Sequence, residues 1–167
     1  MKKFLIFNLV CTFFVVNPVI ITAQKTAKDY YDIGLKKVNS ENYYGAIADY
    51  SKAIELNPNY AIAFNDRGAA KKKLEDYDGA IADYSKAIEL NPNYLNAYYN
   101  RGNSKFNLKD YDGAIADFTK AIELNPNFAD AYANRGTSKW YLKQNYCPDY
   151  KKACELGDCT NYNKFCK

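Results

Sequence analysis

The sequence predicts an all-α solenoid of stacked helical hairpins. Three observations carry that expectation. A block of 34 residues repeats from Ala27: SKAIELNPNY at 51–60 returns unchanged at 85–94, and TKAIELNPNF follows at 119–128. Within each half-block the apolar residues recur at helical spacing, as at Ala80, Ile81, Tyr84, Ala87 and Ile88. Each block closes on an asparagine–proline pair: Asn57-Pro58, Asn91-Pro92 and Asn125-Pro126. Proline lacks the amide hydrogen a helix needs and restricts the residue before it, so a helix stops there. A single hairpin cannot bury its apolar face alone, so units of fixed period stack on one another.

The first element is a separate segment. Met1-Lys2-Lys3 is basic, Phe4 to Ile21 is mostly apolar, and Thr22-Ala23 precedes Gln24. That layout matches a secretory signal peptide over residues 1–23, with Gln24 as the first mature residue. The other reading of the same run is an uncleaved membrane anchor, since its length approaches a membrane span. Cys11 lies inside it after Leu9-Val10, without the small residue a lipoprotein signal places before its cysteine. Export leads to the periplasm, the cell surface or the medium.

The repeats follow as 27–60, 61–94 and 95–128, and a fourth begins at Ala129 and shortens to end at residue 158. In the second repeat Ala61–Leu74 and Tyr77–Leu90 are the two helical halves. Asn42, Asp76 and Asp110 stand where a side-chain oxygen caps the second helix. Gly34, Gly68, Gly102 and Gly136 recur inside the first helix. Glycine there costs about 1 kcal/mol against alanine, so its return points to a close approach of the facing helix. Ala46, Ala80 and Ala114 are the expected matching small surface, and the aromatic column Tyr50, Tyr84 and Phe118 is expected as packing.

These columns of aromatic, glycine, alanine and proline resemble the tetratricopeptide repeat, a helix-turn-helix unit of the same length, over 27–128 fully and 129–144 well. The resemblance implies a right-handed solenoid whose first helices line a concave side that binds peptides or proteins. Carried over by column, its candidate partner-binding residues are Tyr31, Asn65, Asp66, Asn96, Tyr99, Asn100, Asn103 and Asn134. Asparagine both donates and accepts, so a row of them suits an extended peptide backbone; the other reading is an ordinary solvated face. Arg67, Arg101 and Arg135 replace a leucine common in the family, and Lys37, Lys71, Lys105 and Lys139 replace a tyrosine. Asp49, Asp83 and Asp117 are their expected partners. Some family members clamp a C-terminal carboxylate with cations. The matching positions here, Tyr31, Leu35, Asp66, Asn96 and Asn100, hold none.

Composition narrows the function classes. The net charge is +4, of which Lys2 and Lys3 supply two, too small and too evenly spread for nucleic acid. With no histidine there is no His-based triad or His metal ligand. No phosphate loop or dinucleotide fingerprint occurs, so no cofactor and no catalytic residue is expected. Membrane association is expected only if residues 1–23 stay attached, in which case the alternative reading is a membrane-tethered structural spacer.

The repeat pattern ends in CPDYKKACELGDCTNYNKFCK, which holds Cys147, Cys154, Cys159 and Cys166. DYKKACELGD at 149–158 aligns with DFTKAIELNP at 117–126, so Asp149–Leu156 reads as a shortened second helix, with Cys154 on the buried face. Pro148 suits its first turn and Gly157 its end. Asn161–Cys166 reads as a short helix folding back, within a capping segment 159–167. Cys147–Cys154 and Cys159–Cys166 are each seven apart, about 10 Å along a helix. A bridge needs Cα atoms within about 7 Å. Facing residues of an antiparallel hairpin share an index sum, which favours Cys147–Cys166 with Cys154–Cys159 over the crossed pairing. A zinc site lacks CxxC spacing, and a thiol–disulfide exchange site lacks both CxxC and histidine. A stapled cap over the exposed solenoid end is the expectation in an oxidising compartment.

Overall fold

The structure, a computed structural model, describes residues 24–166. The expected signal segment 1–23, Cys11 within it and Lys167 lie outside the described residues. Among the described residues the chain is helical without strands: α1 (Ala27–Asn39), α2 (Tyr43–Leu56), α3 (Ala61–Lys73), α4 (Tyr77–Leu90), α5 (Leu95–Asn107), α6 (Tyr111–Leu124), α7 (Ala129–Tyr141), α8 (Cys147–Glu155) and α9 (Thr160–Phe165).

Local chemistry sets the boundaries. Thr26 and Asp29 close a capping box at the start of α1. The side chains of Asn42, Asp76 and Asp110 each accept the N–H of a glycine three residues on, at 3.0 Å. In each NPN turn the first asparagine also acts: Asn57, Asn91 and Asn125 accept from the N–H two residues later at 3.1 Å. The turn between the helices of a hairpin carries a feature the sequence reading missed. Glu41, Glu75, Lys109 and Lys143 sit at φ of 58°, 62°, 65° and 56°. An L-residue in that left-handed region costs roughly 1–2 kcal/mol. The turn offsets it by directing the next N–H back to the carbonyl of Lys37, Lys71, Lys105 or Lys139.

Consecutive helices pack antiparallel in pairs, and each second helix packs on the first helix of the next pair. The glycine column lies against rings more than against alanines. A Cβ on Gly34 would come within 2.6 Å of Tyr50, and one on Gly102 within 2.8 Å of Phe118. The expected column Ala46, Ala80 and Ala114 is fully buried; Ala80 contributes through its carbonyl oxygen, 3.2 Å from a Cβ on Gly68, but the rings come closer.

A charged seam runs through this packing. Arg101 donates through Nε and Nη2 to Asp117 at 2.9 and 2.7 Å and through Nη1 to Ser85 of the preceding repeat at 2.9 Å. Its guanidinium lies 5.7 Å from the Tyr98 ring centre. Lys105 completes the cluster, 2.8 Å from Asp117. Arg67–Asp83–Lys71 with Ser51, and Arg135–Asp149–Lys139 with Thr119, repeat the arrangement. Arginine in place of leucine therefore joins two repeats. In the first repeat, where Ile33 replaces it, Asp49 pairs with Lys37.

The C-terminal end departs slightly from expectation. α8 begins two residues earlier than the alignment placed it, because Pro148 occupies its first turn, and it stops at Glu155 before Gly157 at φ 111°. α9 spans Thr160–Phe165 rather than Asn161–Cys166. Cys154 is half-buried, unlike Ile122 at the aligned position, because α9 covers less of α8 than a full repeat would. Disulfides join Cys147 to Cys166, with Cα atoms 5.7 Å apart, and Cys154 to Cys159. Phe165 rests 5.7 Å from Trp140 and 6.0 Å from Tyr150, yet no residue of α9 is buried. A helix of six residues does not persist alone, so the bridges hold it.

Candidate functional site

The first helices of successive repeats meet one another. α3 touches α5 and α5 touches α7, and hydrogen bonds cross between them, so α1, α3, α5 and α7 form the inner side of the stack. All the residues expected to bind a partner lie on these helices: Tyr31 on α1; Asn65 and Asp66 on α3; Asn96, Tyr99, Asn100 and Asn103 on α5; Asn134 on α7.

The structure joins most of them into two ladders. In the first, the Tyr31 hydroxyl donates to Asp66 at 2.7 Å, Asn65 donates to Asp66 at 2.8 Å, and Asn100 donates to Asn65 at 3.3 Å. In the second, Asn134 donates to the Tyr99 hydroxyl at 3.1 Å and to Asn103 at 3.0 Å. Tyr31 and Asn65 are 9% and 5% exposed, so they build the wall and present little free surface. Asn100, Asn103 and Asn134 are half-buried, and Asn96 stands apart and exposed at the start of α5. Burial and the Asp66 bond hold the Tyr31 phenol well above the usual range. Burial also raises Tyr99, and burial with the nearby Asp66 pushes Tyr94 up to about 12. These phenols stay neutral, and the face offers hydrogen bonds and apolar contact.

Two notches open on this inner side. One of about 270 Å³ lies between α1, α2 and α3; one of about 90 Å³ lies between α5 and α7, lined by Asn103, Phe106, Asn134 and Thr137. Beside the second runs an aromatic cluster that the sequence reading missed. Phe106 lies 5.6 Å from Tyr141, which stacks on Tyr111 at 4.7 Å and meets Trp140 edge-on at 4.9 Å. Trp140 and Tyr141 are 40% and 49% exposed.

The signal for this cluster was in the departures from the repeat. The second helices YYGAIADYSKAIEL, YDGAIADYSKAIEL and YDGAIADFTKAIEL scarcely differ. The first helices differ in all four units in three columns: Lys28, Ile62, Asn96, Asp130; then Leu35, Ala69, Asn103, Thr137; then Val38, Lys72, Phe106, Trp140; a further column, Asn39, Lys73, Asn107, Tyr141, holds three residue types in the four units. Members of the Leu35 and Val38 columns line the notches, as does Lys73, and Tyr141 adjoins them; the Lys28 column lies apart, at the start of each first helix.

Two family descriptions match the chain. Residues 34–75 and 72–109 match the TPR repeat, and residues 95–128 match the tetratricopeptide repeat. Together they span residues 34–128, more than half of the 167. The chain belongs to the tetratricopeptide-repeat family. Its all-helical architecture is the right-handed hairpin solenoid of that family. Among solved structures, the crystal structure of MamA is similar at 26% identity with a TM-score of 0.76, covering 78% of this chain and 77% of that one. The first tetratricopeptide domain of Spaghetti (RPAP3), bound to the HSP90 peptide SRMEEVD, is similar at 27% identity and a TM-score of 0.70, covering 71% of this chain and 94% of that one. MamA 41-end from Desulfovibrio magneticus RS-1, at 22% identity and a TM-score of 0.74 over 78% of this chain and 75% of that one, speaks for the fold alone. No curated protein matches.

Among the described residues no group of three His, Cys, Asp or Glu is placed to hold a metal ion, and no helix is long and apolar enough to cross a membrane.

Proposed function

We propose that this tetratricopeptide-repeat protein is an exported adaptor that binds a protein or peptide along its inner face and catalyses nothing. The observation that carries the reading is where the repeats differ. Scaffold columns return almost unchanged, while the columns around the inner notches, and that of Lys28, Ile62, Asn96 and Asp130 at the start of each first helix, change from unit to unit. A stack that only had to fold would have no reason to vary there more than elsewhere; a surface matched to an irregular partner would. The Spaghetti (RPAP3) domain, solved with a peptide, supports the class of ligand. Export is supported by the layout of residues 1–23 and by the pairing of all four cysteines that follow. The same pairing favours a stapled cap over thiol exchange, which needs a reactive thiolate.

The test is affinity capture from envelope extract with three baits made of residues 24–167: native, Asn103→Ala with Asn134→Ala on the inner face, and Lys52→Glu with Lys86→Glu on the second helices. A partner retained by the native and lysine baits and lost by the asparagine bait is expected. Equal retention by all three would contradict the reading. Mass analysis of the exported protein should give Gln24 as its first residue.

A further inference from the structure

The two inner notches share a place in the repeat but not their chemistry. The larger is walled by Leu35 and Val38 of α1 and Tyr43 of α2, and the small side chain of Ala69 leaves it open on α3. Lys72 and Lys73 stand at one end. Lys71 beside them is bound to Asp83 at 2.8 Å, but among the described residues neither Lys72 nor Lys73 lies within ion-pair distance of an acid. Burial, and then the charge of Lys73, push the Lys72 ammonium below the ordinary lysine range. Asp66, also in the wall, does not serve them, because its oxygens accept from Tyr31 and Asn65. The smaller notch holds no cation.

Two adjacent ammonium groups at the mouth of an apolar recess favour an anion there, which would relieve both their repulsion and the cost of burying Lys72. A volume of about 270 Å³ lies below the roughly 300–1,000 Å³ of small-molecule sites, and suits a single large side chain. Resting on the adaptor reading above, we infer that this notch receives a large aliphatic or methionine side chain of an extended partner peptide, with a neighbouring aspartate or glutamate of that peptide paired to Lys72 and Lys73. The acid is internal to the peptide. The inner positions that would grip a chain terminus, Tyr31, Leu35, Asp66, Asn96 and Asn100, hold no cation.

A random dodecapeptide display library panned on residues 24–167 tests this. Enriched peptides should pair Leu, Ile or Met with a nearby Asp or Glu. Synthesised with acetylated and amidated ends, they should bind without a free terminus. Lys72→Gln with Lys73→Gln should weaken them about tenfold, as should Ala69→Leu, which fills the recess. Both variants should keep the native circular dichroism spectrum, since among the described residues the two lysine side chains make no hydrogen bond or ion pair with the rest of the fold. Peptides that depend on Tyr99 and Asn134 but ignore Lys72, Lys73 and Ala69 would overturn the notch assignment and leave the adaptor reading intact. Peptides insensitive to both sets, or a library that yields no binder, would overturn both.

Discussion

Asp117→Ala should be among the most damaging single substitutions in the array. The Asp117 side chain is 5% exposed and is the anion for two cations, Arg101 and Lys105, themselves only 19% and 21% exposed. Removing it leaves neither cation with an anion in a partly dry seam, although Arg101 keeps Ser85 and the Tyr98 ring and Lys105 keeps the Gly113 carbonyl. Breaking a buried pair from one side costs about 3–5 kcal/mol, and the residual exposure of the cations puts this case at the lower end, about 3 kcal/mol. With a urea slope of about 2 kcal/mol/M, the midpoint should fall by roughly 1.5 M. Arg101→Leu should cost less, about 1.5 kcal/mol, because Lys105 still pairs Asp117 and leucine fills part of the space. Equilibrium urea titration followed by far-UV circular dichroism measures both. Each repeat leans mainly on its neighbours, so hydrogen exchange should show the loss concentrated in α5 and α6. A cost below 1 kcal/mol for Asp117→Ala, or a larger cost for Arg101→Leu, would refute the view that the seam works by burying one shared carboxylate.

Other expectations follow from single contacts. Tyr84 is fully buried and its hydroxyl has no partner, while Phe118 fills the same place one repeat on; Tyr84→Phe should raise stability by about 1 kcal/mol in the same titration. The phenols of Tyr31, Tyr50, Tyr84, Tyr94, Tyr99 and Tyr150 are all raised above 10 in the fold, chiefly by burial. The fold favours their protonated form, so their contribution is complete below about pH 10 and declines as pH climbs, for Tyr94 through about 12. Thermal midpoints should drop steeply across that window, and a flat profile would contradict the burial of these rings. Replacing Cys147 and Cys166 by serine opens a bridge between residues 19 apart and should release α9, at a cost of about 3 kcal/mol to the cap. Trp140, the single tryptophan, loses Phe165 and should shift its emission to the red; unchanged emission would show that packing alone holds α9.

The fold was legible because repetition multiplies weak signals. One Gly68 or one Asn91-Pro92 means little, but the same residues at a fixed interval define helix, turn and stop. The charged seam was half legible. The aspartate partners of the lysines and arginines could be proposed from their columns, whereas the bond from Arg101 back to Ser85 depends on how neighbouring repeats stack. Glu75 and Lys109 in left-handed turns gave no warning, since neither residue type prefers that conformation. The inner face was read through asparagines, and the structure shows those amides largely bonded to one another. The more accessible features there, Trp140, Tyr141 and the Lys72–Lys73 notch, come from residues that break the repeat, so a reading built on what recurs passed over them.

The most direct measurement exchanges those breaks between repeats. Lys72→Phe, Lys73→Asn, Phe106→Lys and Asn107→Lys together keep composition, net charge and every scaffold column, and each residue moves to a position where its equivalent already stands in this fold. If the inner face is the functional surface, the exchanged protein should melt with the native one and lose the native partner by at least about tenfold in isothermal titration. Undiminished binding by a fully folded exchange variant would contradict the account and move the partner site to the outer helices or the cap.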